Sequence, residues 1–151
     1  MFRTLDFVYV PTDDVDATAR SYVEGLGGRL QWKVRGMGTT VACVRVDEDG
    51  PAILLAGHLD GTVPILVYRV DSYAVAVDAL GAAGIEVDEL EIPHGPCASF
   101  TAPGGQRYAV YELARPEAAA HFDGRVDEPE GPVTVPAPLE PGPPTNPDPR
   151  R

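Results

Sequence analysis

Lysine is almost absent from this chain. Lys33 is the only one, and its 12 basic residues stand against 23 acidic ones, for a formal net charge of −11 at pH 7. Such a balance repels a phosphate backbone and an anionic bilayer, so nucleic acid and membrane surfaces are poor partners. No apolar run approaches the roughly 18 residues of a membrane span, and Arg3 and Asp6 interrupt the N-terminal stretch before it reaches the length of an export signal. The expectation is a cytoplasmic protein. Only two cysteines occur, Cys43 and Cys97, too few for a disulfide framework; they read as reduced, half-buried thiols. Tryptophan is limited to Trp32.

Hydrophobic residues make up 44% of the 151, enough for one domain with a real core. Proline is unevenly spread. Ten of the sixteen lie from Arg115 onward, in runs such as PVTVPAPLEPGPPTNPDPRR. Residues 115–151 therefore read as a Pro-rich tail, disordered or polyproline-like from about Asp123, and residues 1–114 as the folded domain. Partner docking through that tail is the alternative to a dispensable extension.

Within the domain the sequence nearly repeats its own plan. LDFVYV is an apolar strand, followed by a turn and by Val15, Ala19, Tyr22, Val23 and Leu26 at the spacing of one helix face, with Asp13 or Asp14 to cap it and Gly27-Gly28 to stop it. Three strand candidates follow: RLQWKVR, TVACVRV and AILLAG. ILVYRV opens the second half. Tyr73, Ala76, Val77 and Leu80 mark a helix stopped near Gly84, and IEVDELEI, CASFTA and RYAVYEL supply three more strands. The fold class is α+β, two βαβββ modules at about residues 4–60 and 61–114. In each, the helix covers one sheet face and leaves the other free.

The stretches LDFVYVPTDDVDATARSYVEGLGGRL, PILVYRVDSYAVAVDALGAAGIEV and FTAPGGQRYAVYEL resemble the vicinal oxygen chelate superfamily, the group of glyoxalase I, bleomycin-resistance proteins and extradiol dioxygenases. The resemblance covers residues 4 to about 114 and implies a cupped mixed sheet and a homodimer. In metal-using members, His or Glu reach inward from the first and last strand of each module. Laid on this chain, that pattern puts Phe7, Leu54, Ile65 and Ala109 at the four positions, and none of them can bind a metal. A slip of one residue would bring in Asp6, but alternation then turns that strand's other face inward, so a single slip cannot rescue all four positions. What the resemblance implies is a protein with no metal and no cofactor that binds or sequesters a small hydrophobic or aromatic molecule. The alternative is an enzyme of the group, a lyase, isomerase or dioxygenase, with a metal on unrecognised ligands or metal-independent acid–base chemistry.

If Phe7 and Ala109 face the cavity, alternation sends Tyr9, Val67, Arg107 and Tyr111 the same way, where Tyr and Arg can stack on or hydrogen-bond a planar ligand. Packing of a barrel-like core is the competing role. Trp32 is a pocket wall or a dimer contact. Arg45, inside an apolar strand, requires an internal carboxylate or an anionic ligand. His94 is the one catalytic candidate, as an acid or base. With Cys97 three residues on and His58 it makes a weak metal grouping, and no carboxylate is placed by sequence to orient it. Glu112 is expected as a salt-bridged strand end.

Overall fold

The computed structural model describes residues 1–36 and 38–127. Both modules form. The first comprises β1 (Phe2–Pro11), α1 (Val15–Leu26), β2 (Arg29–Gly36), β3 (Thr39–Arg45) and β4 (Ala52–Ala56). The second comprises β5 (Ile65–Val70), α2 (Tyr73–Ala82), β6 (Asp88–Ile92), β7 (Gly95–Thr101) and β8 (Arg107–Glu112). Helix boundaries follow local chemistry. The Asp14 carboxylate accepts from the Ala17 amide and Gly27 ends α1 at φ 70°, while the Ser72 hydroxyl accepts from the Val75 amide at the start of α2. At that same helix start, Glu112 accepts from the Tyr73 amide at 2.8 Å. It caps a helix rather than forming the salt bridge expected of it.

The eight strands form one mixed sheet in the order β2-β3-β4-β1-β5-β8-β7-β6. Exchanging the modules reverses this order onto itself. β1 and β5 meet antiparallel at the centre, and within each module the first and last strands run parallel. Val15 and Ala19 of α1 pack on Ala42, Val44 and Leu55, and Ala76 and Leu80 of α2 pack on Ala98, Phe100 and Val110. On the opposite face two apolar clusters join: one of Ile65, Val67, Cys97, Ala109 and Tyr111, the other of Cys43, Ala52 and Leu54, with Phe7 and Tyr9 touching both. This second face is the cup. Among the described residues no helix is long and apolar enough to cross a membrane.

Two irregularities bear on the site. β1 pairs Leu5 with Tyr68 and Phe7 with Val67, and β2 pairs Leu30 with Val44 and Trp32 with Cys43, so in each case two residues oppose one. These are β-bulges, which re-aim side chains.

The expected tail begins as structure. α3 (Glu117–Phe122) crosses to β2, where the Gly124 amide donates to Gln31 O, the Lys33 amide to Arg125 O and the Asp127 amide to Lys33 O. Residues 123–127, expected to be disordered, thus lie along the edge of β2, because that edge offers unpaired backbone groups. The rest of the proposed tail, 128–151, lies outside the described residues.

Candidate functional site

A cavity of about 420 Å³ opens on the cup face. Its walls come from β1 (Thr4, Leu5, Asp6, Phe7), β2 (Gln31, Trp32), β3 (Cys43, Arg45), Arg69, Tyr111, His94 and the loop Asp49-Gly50, and Pro116 with Ala119 and Phe122 of α3 covers it. The rings of Trp32 and Phe122 lie 5.3 Å apart. Trp32 is therefore a wall of the cup, and its ring packs, tilted, against the chain's own C-terminal segment.

The bulges decide the polar content. Asp6 lines the cavity together with Phe7, and Gln31 together with Trp32, although strict alternation would put each pair on opposite faces. Asp6 is the anchor of a network. Its carboxylate accepts from Thr4 Oγ1 at 2.7 Å and from Tyr111 Oη at 2.6 Å, and Arg69 Nε lies 3.5 Å away. Burial, and then the bond to Asp6, push the Tyr111 phenol far above its ordinary value, so it stays protonated and donates.

His94 completes this wall. Its ring centroid lies 5.1 Å from that of Phe7 and 5.9 Å from that of Tyr111. Burial lowers its pKa below the usual 6.5, Asp6 opposes that shift and Arg115 adds to it. A carboxylate does stand near His94, the one sequence reasoning lacked. The turn that carries it is clamped: Arg115 donates to Pro93 O and Ile92 O and pairs with Glu91, and His94 O accepts from the Ala114 and Arg115 amides. Gly95 next to it has φ 154°, and a side chain there would run into the Glu112 carbonyl. His94 is consequently held by the segment that follows β8 rather than left in solvent as a turn residue.

The remaining candidates divide. Phe7, Trp32, Arg45 and Tyr111 line the cavity. Leu54, Ile65, Val67 and Ala109 belong to the two cup-face clusters but do not line the cavity; they form the packed base beneath it. Tyr9 touches both base clusters, with its phenol pushed up to about 12, mainly by burial. Arg107 is a correction. It lines a separate groove beside the end of α2, with Gly84, Ile85 and Phe100. Cys43 and Cys97 are both buried and free, their thiols raised to about 11 by burial, which leaves them protonated at neutral pH. His58 lies within 3.3 Å of the Thr39 hydroxyl and outside the cavity. Asp6, Gln31 and Arg69 were missed. Arg69 continues the parity of Ile65 and Val67 and was available from the sequence; the other two depend on the bulges.

The donor set does not fit a metal at the four family positions. Phe7, Leu54, Ile65 and Ala109 turn toward the cup and carry only hydrocarbon, and no three His, Cys, Asp or Glu side chains among the described residues come together as a metal would need.

No profile of a known protein family and no curated protein matches the chain. Solved structures do. A methylmalonyl-CoA epimerase from Mycobacterium tuberculosis superposes with a TM-score of 0.64 at 20% identity, covering 78% of this chain and 93% of the epimerase. A variant of the Streptomyces coelicolor methylmalonyl-CoA epimerase in complex with 2-nitronate-propionyl-CoA superposes at 0.57 and 14% identity, covering 76% and 96%. BphC, a halotolerant catechol dioxygenase, superposes at 0.54 and 19%, covering 75% of this chain and 40% of its own. At these identities the likeness is one of fold: the chain shares the mixed-sheet α+β fold of these epimerases and of the dioxygenase.

Proposed function

We propose that the chain is an enzyme of the vicinal oxygen chelate type that moves a proton on a small organic molecule bound in the cup. His94 is the base and the Tyr111–Asp6 pair the fixed polar wall. The observation that carries this reading is the position of His94: a half-buried imidazole, neutral at pH 7, on a clamped turn beside a hydrogen-bonded phenol–carboxylate pair. A neutral imidazole accepts a proton from an acidic C–H. Tyr111, its proton committed to Asp6, keeps lone pairs with which to orient a substrate donor. The fold supports the reading, since the epimerases and the dioxygenase that share it are enzymes. An epimerase removes and returns a proton at carbon, which these residues could do with no ion at the apolar family positions.

The hydrocarbon base of the cup favours a second reading, in which a small apolar molecule is held without reaction. One experiment separates the two. A panel of small acids and esters with an acidic C–H beside a carbonyl is incubated in D2O, and deuterium incorporation is followed by mass spectrometry. The enzyme should accelerate incorporation into at least one member, and His94→Gln should slow it about 100-fold or more. Incorporation at the buffer rate across the panel, with the compounds still binding, would leave only the container.

A further inference from the structure

Among the described residues Arg45 has no ion-pair partner. Its guanidinium is held by two neutral acceptors: Nε donates to Gln31 Oε1 at 3.0 Å and Nη1 to the Gly50 carbonyl at 2.9 Å. No Asp or Glu among the described residues forms a salt bridge with it. Asp49, on the same cavity wall, is exposed and forms no salt bridge with it. The cavity's other arginine, Arg69, is already set against Asp6 at 3.5 Å. A part-buried cation is thus left uncompensated in a chain of net charge −11, where a carboxylate partner would have been easy to supply.

The arrangement is nevertheless rigid. With Nε and Nη1 engaged by β2 and by the loop before β4, the plane of the guanidinium is fixed, and Nη2 makes no hydrogen bond among the described residues. A pre-oriented guanidinium edge beside a cavity is suited to a planar anion. The neighbouring wall is apolar: Phe7, Trp32 and Ala52. The carboxylates of Asp6 and Asp49 on the same cavity would repel a second negative charge.

We infer that Arg45 is the anchor of a carboxylate subsite, and that the cup takes organic monocarboxylates whose apolar body lies against Phe7 and Trp32. The inference shares the cup with the proposed proton transfer but needs no reaction there. It names the substrate class if that reading holds, and a ligand class if it does not. Gln31 is a positioning residue: its Oε1 holds Arg45 and its Nε2 donates to Asp123 at 3.3 Å, so it joins the anchor to the C-terminal segment that covers the cavity.

Trp32, the single tryptophan, reports binding directly through its emission. The full chain is titrated with cyclohexanecarboxylate and phenylacetate, with their uncharged primary amides, and with phenyl phosphate. Saturable emission changes are expected for the carboxylates, with affinities about tenfold or more above those of the amides and of phenyl phosphate, a gap worth about 1.4 kcal/mol. Arg45→Gln should bring carboxylate binding down to the amide level. Arg107→Gln, in the separate groove, should leave it unchanged. A wild type that binds both carboxylates but accelerates no deuterium incorporation leaves the anchor standing and removes only the base, which separates a failure of the one from a failure of the other. Equal affinity of wild type for acid and amide overturns the inference, a comparison that needs no variant to fold. So does tighter binding of phenyl phosphate, an Arg45→Gln variant that binds carboxylate as well as wild type does, or the absence of saturable binding by either carboxylate.

Discussion

The hydroxyl of Tyr111 donates to the carboxylate of Asp6 at 2.6 Å, joining the last strand of the sheet to the first across 105 residues of chain. Tyr111 is only 2% exposed, so the bond is made largely out of water, and its acceptor is the carboxylate that also faces Arg69. Tyr111→Phe keeps the ring and deletes the donor. The variant should lose about 2 kcal/mol of stability in urea melts, the range for a hydrogen bond to a charged group. An unchanged midpoint would mean that solvent satisfies Asp6 and that the network does not hold the cup together.

His94 makes stability depend on pH in a defined direction. Its folded-state pKa lies below 6.5, so in mildly acidic solution the unfolded chain binds a proton that the folded chain refuses. Stability should therefore fall as pH drops through about 6.5 and go on falling until the folded-state value is passed. His94→Gln removes this contribution. Chemical melts between about pH 7 and 5 should show a shallower slope for the variant than for wild type; identical slopes would mean that His94 is as accessible folded as unfolded.

Gly95 sets the position of His94. Its φ of 154° and its approach to the Glu112 carbonyl leave no room for a side chain. Gly95→Ala should cost about 2 kcal/mol or more, read as a lowered melting temperature. It should also impair proton exchange more than ligand binding, because the displaced residue is the base and not the Arg45 anchor. A variant that melts like wild type would show that the turn yields freely.

Much of the framework was legible because its causes are local. Asp14 and Gly27 delimit α1 by capping chemistry, and ILVYRV forms β5 at the bounds its alternation marks. The cup face was also legible: Phe7, Leu54, Ile65 and Ala109 turn inward as two paired modules require. Their role was not. Depth within the cup depends on how far the sheet curls, and these residues lie beneath the cavity. Arg107 shares the parity of Ala109 and Tyr111, yet it stands where β8 begins, beyond the reach of the cup. Alternation gives a face but not a position along it.

The bulges mark the limit of pattern reading. Nothing in RTLDFVY or RLQWKVR signals an extra residue, because neither stretch holds a glycine or proline at the irregularity. Each bulge exists only relative to a partner strand: β5 for Asp6, β3 for Gln31. The C-terminal segment misled for a related reason. Its composition is that of a tail, but the edge of β2 supplied backbone partners that composition cannot register.

Order of elements, the doubling of the module and the hydrocarbon character of the four family positions were written in the sequence, since propensity, periodicity and residue type act over a few neighbours. The meeting of Asp6, Tyr111 and His94, and the lack of a salt bridge to Arg45 among the described residues, were decided only when strands distant in sequence paired with bulges and the C-terminal segment settled across the cup. A charge finds or fails to find its partner in space, and spacing along the chain does not record that outcome.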